Sequence, residues 1–213
     1  MKLHSFFRSS AAYRVRIALA VKGLAYDTVP HHLRKGEQRE PEYRALNPQA
    51  LVPTLEDGGH VLTQSLAIIE YLEEAYPQTP RLLPSDPAGR AVVRAMSQAI
   101  ACDVHPLNNL RVLDYLKSQM GQSQEATDVW YRHWIAEGFA MMEGFLAREK
   151  KHGKHVFRDQ VTMADCCLVP QVANALLYKC DVKPYPAVMR VHEACMKLDA
   201  FIKAQPSNQP DAA

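Results

Sequence analysis

Serine stands at two places where a helix is about to begin, and a proline stands where a strand is about to begin. Ser9 and Ser10 precede one run with helical spacing, Gln64 and Ser65 precede another, and Leu51-Val52-Pro53-Thr54 opens a short apolar segment. The first N–H groups of a helix have no partner inside it, and the helix dipole adds partial positive charge there. A carboxylate is therefore favoured at Gln64 and Ser65, whose side chains offer further hydrogen bonds. A thiol at Ser9 and Ser10 would be favoured as thiolate, which makes an otherwise protonated thiol reactive near neutral pH. Ser9 begins that motif and is the better hydroxyl donor, with Ser10 close behind. Each serine taken alone also serves as an ordinary helix cap. Pro53 cannot donate to a sheet, and a cis bond before it can present the Val52 N–H and C=O to one residue of an extended peptide. An edge-strand proline with no ligand accounts for that tetrapeptide equally well. Val-Pro followed, after one hairpin, by Gln-Ser at a helix start is a much rarer conjunction. Tyr13 lies a turn inside its helix and reads as a packing residue, and Arg14 and Arg16 read as solvated or paired.

The elements that must position these residues follow from periodicity. Lys2 to Phe7 reads as a strand, Ala11 to Lys22 as a helix with Val15, Ala18, Leu19 and Lys22 in register, and Gly23 as its stop. A strand around Tyr26 to His31, a polar stretch from Arg34 to Glu42 and a short helix up to Leu46 come next. Leu51 to Glu56 and His60 to Thr63 form a hairpin over Asp57-Gly58-Gly59. Ser65 then caps a helix carrying Ala67, Ile68, Tyr71, Leu72 and Ala75 on its apolar positions. The order β-α-β-α-β-β-α is that of a thioredoxin-like α/β domain over residues 1–80. Prolines 77, 80, 84 and 87 punctuate a linker. Residues 88–213 read as an all-α domain: Ala88 to Lys117 bent at Pro106, Gln124 to Lys150, a helix capped by Thr162 with Asp165 in a capping box, and roughly Ala187 to Leu198. The third of these is expected to carry Leu168, Val169, Val172 and Leu176 on one face. The tail from Pro206 is expected to be loose.

Composition narrows the classes. The chain has 213 residues, 47% of them hydrophobic, enough for two small cores. Twenty-five Lys and Arg against 23 Asp and Glu, with no dense basic run, argue against nucleic acid. No stretch approaches the roughly 20 apolar residues of a membrane span, and no signal peptide is supported. Five cysteines without CxxC spacing suit the reducing cytoplasm. Metal catalysis is the weakest expectation, because His31 and His32 are read as strand neighbours facing opposite ways.

Phe7-Arg8-Ser9-Ser10, Arg14-Val15-Arg16-Ile17-Ala18-Leu19, Asn47-Pro48-Gln49, Leu51-Val52-Pro53-Thr54-Leu55 and Gln64-Ser65-Leu66-Ala67-Ile68-Ile69-Glu70-Tyr71-Leu72 resemble the zeta class of glutathione transferases. So do His105-Pro106-Leu107-Asn108-Asn109-Leu110-Arg111, Thr162-Met163-Ala164-Asp165, Leu168-Val169-Pro170-Gln171 and the closing Gln209-Pro210-Asp211. The resemblance covers almost the whole chain. It implies the glutathione transferase fold, glutathione as cofactor, and maleylacetoacetate or maleylpyruvate isomerisation. It also implies a cytoplasmic homodimer acting on a small acidic or electrophilic substrate. Ser9 and Ser10 would activate the thiol, Val52 would pair with the cysteinyl backbone, and Gln64 with Ser65 would hold the γ-glutamyl carboxylate. Gln38 and Gln49 would lie toward the glycine end. His105, Asn109 and Arg111 would reach tripeptide or substrate from the helical domain of the same or the neighbouring subunit, and Arg8 and Arg111 would bind substrate carboxylate.

Two departures stand out. The family's Ser-Ser-Cys becomes Ser9-Ser10-Ala11, and an arginine expected for a substrate carboxylate is replaced by Leu177. Lys179 is a poor substitute, since two residues along a helix turn a side chain by roughly 200°. Conjugation or dehalogenation of small electrophiles is therefore the alternative chemistry. A non-catalytic glutathione-binding protein is the alternative class, opposed by the intact Ser9, Ser10, Gln64 and Ser65.

Overall fold

The computed structural model describes residues 1–148 and 153–212. Its chain divides into two compact units, Met1–Leu83 together with Met196–Ala213, and Pro84–Cys195.

The first unit is built on a four-stranded sheet of β1 (Lys2–Ser5), β2 (Asp27–Pro30), β3 (Thr54–Asp57) and β4 (His60–Thr63) in the order β2-β1-β3-β4. β1 runs parallel to β2 and antiparallel to β3, which pairs with β4 through the expected hairpin. Helix α1 (Ser10–Lys22) ends at Gly23, whose φ of 67° is one that a side chain would oppose. Two 3-10 turns (Leu33–Lys35 and Glu37–Arg39) and α2 (Pro41–Leu46) fill the polar stretch, and α3 (Ser65–Ala75) follows the hairpin. The buried face of α3 is Ser65, Ile68, Ile69 and Leu72, while Ala67 and Ala75 are exposed. An alanine's small apolar surface gives it little preference between the two faces, so its spacing misled. His31 and His32 lie beyond the end of β2 rather than within it. His31 stacks on His4 and bonds it, its ring lies tilted against Tyr43, and His32 caps the first 3-10 turn.

Lys22 and Glu73 form a buried ion pair at 2.6 Å that fixes the end of this unit. Lys22 also donates to the Thr79 hydroxyl and the Pro80 carbonyl, and Glu73 accepts from the N–H groups of Leu82 and Leu83. The proline-rich segment is thus tied down, with Leu82 and Leu83 fully buried.

The second unit consists of helices. α4 (Pro87–Gln98) continues as a π-helical stretch (Ala99–Val104) and a 3-10 turn (His105–Asn108) before α5 (Leu110–Ser118). The break thus falls at Pro106, where the missing N–H and ring clash place it. α6 (Gln124–Arg148) passes so close to this break that a Cβ on Gly138 would meet Val104 at 2.4 Å. Glu149 and Lys150, expected to end that helix, lie outside the described residues. α7 (Met163–Leu177) carries the expected capping box, and α8 is Pro186–Cys195. Leu176 is 47% exposed rather than part of the buried face, because α7 ends one residue later and Ala175 is the last residue turned inward.

The buried Asp165 accepts from the Val156 N–H and the Cys195 thiol on one oxygen, and from the Thr162 N–H and hydroxyl on the other. His155, Asp165 and Cys195 are close enough to be considered as metal ligands, but this carboxylate is already satisfied as the N3 member of the α7 capping box.

The C-terminal segment departs from expectation. Residues 196–213 belong to the first unit instead of extending the helical one, through packing of α9 (Asp199–Ala204) on α1. Phe201 and Ala204 are the buried residues of α9. The tail after it is held rather than loose: Gln209 donates to the carbonyls of Lys203 and Gln205, and Asn208 to that of Ile202.

Candidate active site

Sheet register brings three sequence features to one end of the first unit. β1 leaves the sheet at Ser5 into the turn carrying Arg8, Ser9 and Ser10. β3 enters it at Thr54, paired with His4, immediately after Val52 and Pro53, and β4 leaves it at Thr63, paired with Thr54, immediately before Gln64. The reversals between antiparallel strands therefore collect segments that lie tens of residues apart.

Ser9 is the N-cap of α1: its hydroxyl oxygen accepts from the Ala12 N–H at 3.2 Å. A serine hydroxyl has one proton and two lone pairs, so capping leaves its O–H able to donate to a ligand. Capping and thiol activation are compatible in the same atom. Ser10 is the first helical residue and is buried, and Arg8 is exposed. The first turn of α1 contains no acidic residue to offset the positive end of its dipole. Tyr13 is buried, as its packing role requires.

The Val52-Pro53 bond is cis. The Val52 side chain packs in a cluster with Phe6 and Tyr43. Just before it, the Leu51 carbonyl accepts from both the Tyr43 hydroxyl at 2.6 Å and the Asn47 amide at 2.7 Å. Asn47 also bonds the Thr54 hydroxyl and accepts from the Gln49 N–H, so one buried side chain shapes the whole loop from Gln49 to Thr54. Burial is the main cause of the raised pKa of Tyr43, which keeps that hydroxyl a donor.

Gln64, not Ser65, holds the N-cap position of α3, without a side-chain capping bond and with a φ of 69° that few non-glycine residues adopt. Ser65 is the first helical residue, and its buried hydroxyl accepts from Arg14 at 3.2 Å. A guanidinium therefore sits behind a helix N-terminus that itself has no acidic residue in its first turn. The Gln64 amide donates to Gln49 at 2.8 Å. Gln38 is buried on the second 3-10 turn, and among the described residues its Oε1 has no hydrogen-bond partner.

The second unit brings the other candidates together locally. Asn109 caps α5 by accepting from the Arg111 N–H, and it lies 3.4 Å from the His105 ring. The Trp130 indole donates to the Leu107 carbonyl and so pins this turn to α6. Arg111 is exposed in the first turn of α5, and Leu177 is 55% exposed at the end of α7.

Sequence reasoning read Arg14 and Arg16 as solvated or paired, of which the structure selects paired, and it gave no role of their own to Tyr43, Asn47 and Asp211. Arg14 and Arg16 are almost fully buried inside the first unit. An arginine on a helix carries no periodic signal that it is buried; the clue was only that Arg14 and Arg16 interrupt an otherwise apolar run.

Residues 3–80 match the family model of the glutathione S-transferase N-terminal domain. The chain is 48% identical to a maleylpyruvate isomerase of Ralstonia sp. over 213 residues, covering 100% of both chains. A holo structure of maleyl pyruvate isomerase, described as a bacterial zeta-class glutathione S-transferase, superposes with a TM-score of 0.97 at 48% identity over the full length of both chains. A maleylacetoacetate isomerase from Anaeromyxobacter dehalogenans, with dicarboxyethyl glutathione and citrate in its active site, gives a TM-score of 0.87 at 40% identity, covering 100% of this chain and 93% of that one. With the sheet, the serine turn and the helix start arranged as above, the chain belongs to the zeta class of the glutathione transferase family.

Proposed function

We propose that this protein is a glutathione-dependent cis-trans isomerase of maleyl keto acids, maleylpyruvate or maleylacetoacetate. The observation that carries the reading is the convergence of the Ser9 turn, the Val52-Pro53 step and the α3 N-terminus at one sheet end. The donor set fits the tripeptide: Gln38 Oε1, which has no partner among the described residues, can accept a hydrogen bond from it, and the α3 start with Arg14 behind it suits a carboxylate.

Bound glutathione supplies a thiolate that adds reversibly to the electron-poor cis alkene, so that the former double bond can rotate before the thiol is lost again. The Ser9 O–H and the α1 dipole lower the cost of that anionic sulfur. Val52 offers its backbone to the cysteinyl residue, Gln64 and Ser65 hold the γ-glutamyl carboxylate, and Gln38 and Gln49 address the glycine end. Arg8 is the candidate for a substrate carboxylate on the first unit. His105, Asn109 and Arg111 remain the candidates of the second unit for tripeptide or substrate.

We place the protein in the cytoplasm as a homodimer. Family membership supports both, and the free thiols of Cys102, Cys166, Cys167, Cys180 and Cys195 suit a reducing compartment. Among the described residues no helix is long and apolar enough to cross a membrane.

The test is turnover of maleylpyruvate and maleylacetoacetate with and without glutathione. Activity should require glutathione, and Ser9→Ala should raise the apparent thiol pKa and lower turnover by about 10²-fold or more. No glutathione-dependent isomerisation of either acid would remove the reading. The exposed apolar Leu177 favours a second one, conjugation or dehalogenation of small electrophiles, for which haloacids belong in the same assay.

A further inference from the structure

The turn between β1 and α1 is held by side chains from the rest of its unit. Ser9 donates its N–H to the Phe6 carbonyl. The peptide groups flanking Phe7 are held from two sides. The Phe7 N–H donates to Asp211 Oδ2 at 2.9 Å, across 204 residues of sequence, and the Phe7 carbonyl accepts from Arg16 Nη2 at 3.0 Å. Arg16 further donates to the Ser5 hydroxyl, the Phe6 carbonyl and the Ala204 carbonyl. One fully buried guanidinium thus joins the end of β1, the turn and the end of α9. Its planar fork of donors reaches all four acceptors in a fixed geometry, which an ammonium cannot do. Burial pulls the Arg16 pKa down to about 10, and Tyr26, Tyr13 and the Asp211 carboxylate oppose that shift. The tail that delivers Asp211 is itself anchored through Asn208 and Gln209.

We propose that Asp211 and Arg16 are positioning residues for catalysis: they clamp the turn at Phe7, two residues before Ser9, and thereby fix the Ser9 hydroxyl against the reacting thiol. The inference rests on the glutathione reading above and deepens it. Stabilisation of a thiolate by one hydroxyl depends steeply on distance and angle, and a donor on an irregular turn keeps its direction only if the turn's own peptide groups are pinned. The C-terminal tail is on this account a working part of the active site, although none of its residues touches the reacting atoms.

The experiment compares wild type with Asp211→Ala, which removes the acceptor, and Asp211→Asn, which keeps an acceptor for the Phe7 N–H. Thiolate absorbance of bound glutathione is titrated, glutathione affinity is measured by calorimetry, and kcat for maleylpyruvate is followed against pH. Asp211→Ala should raise the bound thiol pKa by about one unit, which is about tenfold in thiolate fraction below that pKa. The kcat loss should shrink at high pH, where the thiol ionises unaided. Glutathione affinity should change less than about threefold, because the α3 carboxylate site is untouched, and Asp211→Asn should recover much of the loss. In ligand-free protein, hydrogen exchange at the Phe7 amide should accelerate in Asp211→Ala, a readout independent of glutathione. An unchanged thiol pKa in Asp211→Ala, or an equally protected Phe7 amide, would overturn the clamp. A wild-type protein that binds glutathione without lowering its thiol pKa would overturn the functional reading itself, so the wild-type titration tells the two failures apart.

Discussion

The Arg14 guanidinium donates to the Ser65 hydroxyl across 3.2 Å, with both side chains buried. A full positive charge, shielded from water, therefore backs the partial charge at the start of α3. Arg14→Met keeps much of the volume and removes the charge. It should weaken glutathione binding by about 1.5–3 kcal/mol, one to two decades in affinity. The Gln64→Ala, Ser65→Ala double variant should weaken it as well. Calorimetry measures both, with thermal melts to confirm folding. Unchanged affinity in both variants would put the γ-glutamyl carboxylate somewhere else.

The Lys22–Glu73 pair gives a stability prediction. Both charges are out of solvent, so removing one leaves the other uncompensated. Glu73→Leu should cost about 3–5 kcal/mol in denaturant unfolding, and it also orphans the N–H groups of Leu82 and Leu83. Lys22→Met with Glu73→Leu should cost clearly less than the sum of the single changes, because the residues share one network. Additive single costs would show that the pair is not coupled.

Acid should begin to destabilise the fold in the range where free histidines titrate. Burial, then the neighbouring His4, holds the His31 pKa below its usual value, and burial does the same to His192. In the unfolded chain both rings take up protons near pH 6.5, whereas in the folded protein they resist. Between the unfolded and folded pKa values the unfolded state binds more protons, so stability falls as pH falls through that window and levels off below it. Melting temperature against pH from 7.5 to 5 should show the decline. His31→Phe, which retains an aromatic ring against Tyr43, and His192→Phe should each flatten it. A slope that neither change alters would assign the effect to other groups.

Leu177 sets a prediction on substrate charge. It is 55% exposed, so an arginine there costs the fold little, within about 0.5 kcal/mol. Leu177→Arg should raise kcat/KM for the maleylpyruvate dianion by about one to two decades, the worth of a charge-assisted hydrogen bond of roughly 1.5–3 kcal/mol. Arg8→Ala and Arg111→Ala should lower it. Robust wild-type turnover indifferent to all three changes would separate carboxylate recognition from these positions.

The amino-acid sequence by itself determined the order and type of the elements around the site. Period-two and helical patterns, the Asp-Gly-Gly hairpin, the stop at Gly23 and the break at Pro106 are local signals, because each reflects a backbone preference acting within a few residues. The Ser9, Val52, Gln64 and Ser65 motifs were legible for the same reason: they sit at element ends, where unpaired backbone groups announce themselves. What tertiary structure alone decided is how those ends are held. The buried Arg14 behind Ser65 and the C-terminal tail gripping Phe7 depend on partners 51 and 204 residues away, while the Asn47 and Tyr43 donors to Leu51 and the α3 N-cap at Gln64 depend on how an irregular loop closes on itself. A polar side chain on a helix or in a tail looks the same in sequence whether it meets water or a buried partner. Only the folded chain, by excluding water and bringing Asp211 to within 2.9 Å of the Phe7 N–H, distinguishes the two.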